Sequence, residues 1–225
     1  HEADEYSPVW SPDDLRIAYV SQRSDQPGVY VKAANGAGES ELVFETDKTI
    51  FVRSWSPDGR FIVAQIENES ADILIIPVDG SDEPFTFMAT PADEYGPVFS
   101  PDGRWIAFGS TETEREEVYV APFPATGAKW QVSINEGDRP NWSPDGKRII
   151  YLNNVDMLME AEVDGTDDAF RIGAVNPLFE INAYRPGTIF HLMPDGQNIL
   201  INERLTELDQ SRLVLVQNWP GSLMR

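Results

Sequence analysis

One eight-residue phrase recurs five times along the 225 residues of this chain. It reads WSPDGRFI from Trp55 to Ile62, FSPDGRWI from Phe99 to Ile106 and WSPDGKRI from Trp142 to Ile149. Weaker copies are WSPDDLRI, from Trp10 to Ile17, and LMPDGQNI, from Leu192 to Ile199. The residues that open the copies are Trp10, Trp55, Phe99, Trp142 and Leu192, so successive copies lie 45, 44, 43 and 50 residues apart. A period of about 40–50 residues with one turn signature per repeat restricts the chain to a propeller or a solenoid.

The contents of each period decide between the two. After every turn comes an alternating apolar run: Ile17–Val20, Ile62–Ala64, Ile106–Phe108, Ile149–Tyr151 and Ile199–Ile201. About ten residues later a second run follows, at Val29–Val31, Ile73–Ile76, Val118–Val120, Leu158–Glu160 and Leu213–Val216, and four of these lead into a turn containing glycine. A weaker third run lies at Leu42–Phe44, Phe85–Phe87, Trp130–Val132 and Phe170–Ile172. With the strand that enters the phrase, each repeat has four short antiparallel strands, which is a propeller blade. The fold class expected is therefore all-β: one propeller domain or fragment over residues 1–225, with blades near 1–45, 46–90, 91–134, 135–180 and 181–225. The stretch Asp156 to Glu162 has some helical character, but its place in the repeat assigns it to a strand.

The chemistry of the phrase is that of a turn. Proline fixes φ at the first turn position, aspartate bonds the backbone two residues on, and glycine accepts the positive φ that other residues resist. Asp13, Asp58, Asp102, Asp145 and Asp195 are thus read as turn residues rather than as a ring of catalytic or metal-binding carboxylates. The aromatic residue ahead of each turn is expected to pack between neighbouring blades.

Composition narrows the function. Acidic residues number 38 against 17 basic ones, a formal net charge of −21, so nucleic-acid binding is excluded on electrostatic grounds. Such acidity suits a solvated surface, cationic partners or a calcium-containing medium. With no cysteine there is no disulfide, thiolate site or cysteine nucleophile, and two histidines are too few to suggest zinc or iron. No cofactor is expected. Calcium needs only oxygen ligands, but no calcium-loop pattern occurs, and the best local cluster, Asp164 to Asp168, reads as an ordinary turn. No apolar run is long enough to span a membrane, and no Gly-x-Ser-x-Gly elbow or phosphate loop is present. His191 is read as structural.

The loops entering the innermost strands remain: Ala3 to Val9, Thr46 to Val52, Ala92 to Val98, Asn135 to Asn141 and Ile181 to Gly187. They line one mouth of a propeller's central channel. Asp-Glu-Tyr recurs at residues 4–6 and 93–95, and arginine precedes proline at 139 and 185. Tyrosine and arginine are the residue types that dominate binding surfaces. The candidate site for a protein or small-ligand partner is therefore Glu5, Tyr6, Glu94, Tyr95, Asp138, Arg139, Tyr184 and Arg185.

The WSPDG-(K/R)-x-I repeat resembles the TolB-like propeller repeat, in five copies over nearly the whole chain. The C-terminal stretch, with PLFE at Pro177–Glu180 and RLVLVQNWPGSLMR from Arg212, is similar to the tail of the propellers that end bacterial serine/threonine kinases and related membrane-anchored regulators. The resemblance implies an N-terminal kinase or DNA-binding domain elsewhere and an extracytoplasmic sensory or interaction propeller here. None of the kinase motifs occurs in this chain. The beginning at His1 without an initiator methionine, the short lead before the first inner strand and a last repeat of three strands together suggest the C-terminal part of a larger propeller; the alternative is a five-blade ring that tolerates a short last blade or borrows a strand from a second copy. The expected function is a non-catalytic interaction or ligand-sensing module. The alternatives are the propeller of a prolyl-oligopeptidase-like hydrolase or a periplasmic TolB-type docking protein.

Overall fold

The structure, a computed structural model, describes residues 3–80, 82–166, 169–182, 190–205 and 210–217. Among these residues all extended regular structure is β-strand, arranged as five antiparallel sheets. Blade 1 is β1 (Glu5–Trp10), β2 (Arg16–Ser21), β3 (Gly28–Ala33) and β4 (Glu41–Glu45). Blade 2 is β5 (Ile50–Trp55), β6 (Phe61–Glu67), β7 (Ala71–Pro77) and β8 (Phe85–Met88). Blade 3 is β9 (Glu94–Phe99), β10 (Trp105–Ser110), β11 (Glu117–Pro122) and β12 (Trp130–Gln131). Blade 4 is β13 (Asp138–Trp142), β14 (Arg148–Leu152), β15 (Met157–Thr166) and β16 (Ala169–Glu180). Blade 5 has three strands among the described residues, β17 (Phe190–Leu192), β18 (Asn198–Leu205) and β19 (Gln210–Gln217). Each sheet runs outward in sequence order, and the first strands of successive blades neighbour one another around the centre. This is a five-bladed propeller array, as the repeat demanded.

The repeated phrase builds the end of the blade away from the mouth. In the second copy the Ser56 hydroxyl donates to Asp58 Oδ1 at 2.5 Å and accepts from the Phe61 N–H at 2.9 Å. Asp58 Oδ1 also accepts from the Arg60 N–H at 3.1 Å, and Gly59 sits at φ +71°. The same bonds recur around Asp13, Asp102 and Asp145. In the fifth copy methionine replaces serine, and Asp195 accepts from the Gln197 and Asn198 N–H groups instead. Asp14, in glycine's place in the first copy, takes φ +58°. The turns also touch around the array. A Cβ on Gly103 would lie 3.3 Å from the Pro57 ring, and the Pro101–Gly146 and Pro144–Gly196 pairs repeat the stacking more loosely.

Between blades lie continuous apolar layers. Ala18, Val20, Ile62 and Ala64 join blades 1 and 2. Val63, Ile75, Ile106 and Phe108 join blades 2 and 3. Ala107, Val120, Ile149 and Tyr151 join 3 and 4, and Ile150, Leu158, Ile199 and Ile201 join 4 and 5. Period-2 alternation sends successive residues of one strand to opposite neighbours, so these strands are apolar on both faces. The tryptophan ahead of the turn clips this packing: Trp55 Nε1 donates to the Val9 carbonyl at 3.2 Å and Trp142 Nε1 to the Val98 carbonyl at 3.3 Å.

Trp10 corrects the expectation that every such residue is packed between blades. Trp55 is 5% exposed and Trp142 8%, but Trp10 is 55% exposed. It lies on the leading face of blade 1, where no described blade precedes it. Ile17, Tyr19 and Lys32 share that face and line a groove of about 600 Å³. At the other end of the array Leu213 and Leu215 of β19 are exposed as well. Hydrogen-bonded strand pairing, among the described residues, does not join the fifth sheet to the first.

Candidate functional site

The mouth is built by one irregularity repeated in the innermost strands. Strand β1 shifts register between Tyr6 and Val9, β5 between Val52 and Ser54, β9 between Tyr95 and Val98, and β13 between Asp138 and Asn141. Such a bulge leaves residues out of the ladder and re-aims their side chains. The bulges hold Ser7, Arg53, Gly96 and Arg139; Ser7, Gly96 and Arg139 take φ of +52°, +58° and +55°. Glycine adopts that conformation freely, whereas for an ordinary L-residue such as arginine it costs about 1–2 kcal/mol. Strain of this kind at a channel mouth points toward function.

The two Asp-Glu-Tyr copies do not do the same work. Glu5 is exposed, 3.9 Å from Arg23, whose guanidinium lies 4.0 Å from the Tyr30 ring centroid. Tyr6 meets the Phe51 ring edge-on at 5.8 Å, and its hydroxyl accepts a long 3.4 Å bond from Gln22. Glu94 is fully buried: the Thr90 hydroxyl donates to it at 2.5 Å and the Thr90 N–H at 3.2 Å. Burial pushes its carboxyl above the usual carboxylate range, opposed by the Thr90 bonds. The position equivalent to Thr90 ahead of Glu5 is His1, which lies outside the described residues. Asp93, beside Glu94, accepts from the Ala71 N–H at 3.0 Å and thereby ties blade 3 to blade 2.

Tyr95 is wedged. A Cβ on Gly109 would lie 2.4 Å from Tyr95 Cε2, so only glycine leaves room for the ring. Its hydroxyl is buried and, among the described residues, has no hydrogen-bond partner. Burial, then the nearby Asp138 and Glu116 carboxylates, push this phenol well above its ordinary range, so it stays protonated as a donor. Asp138 and Arg139 form an ion pair at 3.1 Å. Tyr184 and Arg185 lie outside the described residues. His191 is exposed on β17.

Arg53 and Gln65 do not stand out in the sequence but belong to the mouth. An Arg53 guanidinium nitrogen donates to Gln65 Oε1 at 3.0 Å, and the same oxygen accepts from the Gly96 N–H at 3.3 Å. Burial and the Arg139 guanidinium pull the Arg53 pKa below its ordinary value. The available signal was the bulge. It is marked by a following proline at Pro8, Pro97 and Pro140, but not in blade 2, where Ser54 follows Arg53. Among the described residues no group of three or more histidines, cysteines or carboxylates converges as a metal site. Of the Asp164 to Asp168 cluster, Asp164 is paired with Arg171 in the β15–β16 ladder, and Asp167 and Asp168 lie outside the described residues. No described helix is long and apolar enough to cross a membrane.

An all-β array whose blades turn on Ser-Pro-Asp-Gly and whose inner strands bulge at one mouth is a propeller scaffold. The model of the TolB beta propeller domain matches residues 3–170, and the chain belongs to that family. The Tol-Pal system protein TolB of Bordetella pertussis is 32% identical over 113 residues, covering 50% of this chain and 26% of that protein. The Bacillus subtilis protein described as an uncharacterized peptidase, YuxL, is 26% identical over 148 residues, covering 49% of this chain and 22% of its own length. The matched stretch thus spans about a quarter of each of these relatives. The crystal structure of TolB from Acinetobacter baumannii superposes with a TM-score of 0.69 over 96% of this chain and 52% of its own, at 19% identity, which is a likeness of fold.

Proposed function

We propose that this chain is the non-catalytic interaction or ligand-sensing propeller of a larger bacterial protein, and that its partner docks at the mouth formed by the starts of β1, β5, β9 and β13. One observation carries the reading. All five turn aspartates accept from the backbone N–H two residues on, and four of them also from a serine of their own turn, whereas the mouth holds strained and buried polar groups. Proteins keep such groups where binding uses them. The exposed Trp10 at one end of the array and Leu213 and Leu215 at the other support a propeller that continues beyond these five blades. In that reading Trp10 Nε1 meets an inner-strand carbonyl of a preceding blade, as Trp55 meets Val9.

Photo-crosslinking in the producing cell tests the docking end. A photoreactive residue at Lys48, in the mouth loop, is expected to capture the partner. One at Lys147, exposed on a Ser-Pro-Asp-Gly turn, is not. Capture from Lys147 alone refutes the assignment.

The likeness to the Bacillus protein described as a peptidase favours a second reading, in which the propeller gates a separate hydrolase domain. The reading frame of the whole protein distinguishes the two, because that reading requires a nucleophile elbow outside these 225 residues.

A further inference from the structure

Strand register lays one row of three residues across each blade at its turn end. In blade 2 the row is Trp55, Ile62 and Ile76, and in blade 3 Phe99, Ile106 and Ala121. In blade 4 it is Trp142, Ile149 and Ala161, and in blade 5 Leu192, Ile199 and Val216. Each of these rows packs against the preceding blade, and Ile76, Ala121 and Ala161 are buried. In blade 1 the row is Trp10, Ile17 and Lys32. An ammonium group stands where the four covered rows have an aliphatic side chain. Among the described residues Lys32 makes no ion pair. Arg23, in the same groove, is already held by the Ser21 and Tyr19 hydroxyls and, at 3.9 Å, by Glu5.

A charge inside such a layer is stable only when paired. Blade 4 shows this on its other face, where Glu160 stands opposite Ile150. Glu160 is 8% exposed and meets Arg148 at 3.3 Å. Whatever covers blade 1 therefore packs apolar groups on Trp10 and Ile17, and brings an acid to Lys32. Blade 5 of a second copy does not fit. The side chains that β17, β18 and β19 turn away from blade 4, His191, Leu200, Asn202, Leu213 and Leu215 among them, include no acid over the described residues.

We propose that a further blade of the same polypeptide, outside these 225 residues, closes the leading face of blade 1 and holds Lys32 in an ion pair with an aspartate or glutamate of its own. The proposal rests on the propeller continuing beyond these five blades, and it names the group that the next blade carries. Trp10 and Ile17 supply the packing common to every blade joint. Lys32 makes this joint selective, because a blade without the acid would leave a buried ammonium unpaired.

Two measurements on the full-length protein test this. Hydroxyl-radical footprinting reads whether Trp10 is covered. Carbodiimide treatment joins an amine and a carboxylate in direct contact as an amide, with loss of water, and peptide mapping then reads what Lys32 touches. Trp10 is expected to be oxidised no faster than the buried Trp55, and Lys32 to be joined to an acid of the same chain outside residues 1–225. Lys32→Glu should lower the melting temperature about 4 °C further than Lys32→Gln, because it sets two carboxylates against each other. A protected Trp10 with no Lys32 amide, or with one to the nearby Glu39, overturns the ion pair and leaves the continuing propeller standing. Equal melting losses for the two variants do the same. An amide that joins two chains overturns the proposal in favour of an intermolecular joint. Trp10 oxidised several-fold faster than Trp55 overturns both the ion pair and the continuing propeller.

Discussion

Trp55 and Trp10 occupy equivalent positions in successive blades, and replacing each by alanine separates packing from propensity. Trp55 is 5% exposed, its indole N–H bonds the Val9 carbonyl, and the Arg16 guanidinium lies 4.9 Å from its ring centroid. A tryptophan buries about 150–250 Å², which at about 25 cal/mol per Å² corresponds to roughly 4–6 kcal/mol. Measured truncations of buried aromatics cost about 3–5 kcal/mol, so about 4 kcal/mol is expected for Trp55→Ala. Trp10 is 55% exposed and leaves no enclosed cavity, so Trp10→Ala should cost about 1.5 kcal/mol in the same 225-residue chain. Urea denaturation followed by circular dichroism, with the two m-values compared, reads both. If, as proposed, a further blade precedes blade 1 in the whole protein, it buries Trp10, and the Trp10 substitution there should approach the cost of Trp55→Ala. Equal costs in the 225-residue chain would mean that blade 5 already covers Trp10, and would refute the open leading face.

Three other outcomes follow from the geometry. Gly109→Ala drives a methyl into the Tyr95 ring and should destabilise by about 1–3 kcal/mol, with recovery when Tyr95→Ala is added; thermal melts of the single and double variants measure it. The Ser143 hydroxyl and the Lys147 N–H hold Asp145 below the usual carboxylate range, and Ser11 does the same for Asp13. Their stabilisation is complete above the unfolded carboxylate pKa near ~4 and is lost as pH falls through the lower folded values, so Ser143→Ala should flatten the acid limb of a stability-versus-pH curve. Glu94 has the opposite sign: its raised pKa means that ionisation opposes folding, so Glu94→Gln should stabilise at pH 7, and the gain should shrink as pH falls below the folded Glu94 pKa and vanish below the unfolded carboxylate pKa near ~4, in denaturant melts across that range.

The blades were legible because the same physics repeats. Ile17, Ile62, Ile106, Ile149 and Ile199 recur at one place after each turn, and each enters a strand whose neighbour lies one period away. The turn chemistry could be written from Asp58 and Gly59 alone. Local pattern could not show which face of a blade lacks a neighbour, and so Trp10 looked like Trp55. The mouth was half legible. Asp138, Arg139 and Tyr95 stood out by residue type, but Glu5 and Glu94 share a tripeptide and differ in burial, with Thr90 capping only the second. Arg53 was missed because its bulge carries no proline, and its link to Gly96 through Gln65 joins residues far apart in the chain. Tertiary contacts of that kind leave no period to read.

The central claim is that the repeated turns are scaffold and the inner-strand mouth binds. Once Lys48 crosslinking has supplied a partner, its affinity and the melting temperature should be measured together for Asp58→Ala, Asp102→Ala, Tyr6→Ala and Arg53→Gln. The turn variants are predicted to lower the melting temperature and leave the affinity of the folded protein unchanged. The mouth variants are predicted to weaken binding with a smaller loss of stability. A folded Asp58→Ala or Asp102→Ala protein that no longer binds its partner, beside mouth variants that bind normally, would contradict the account.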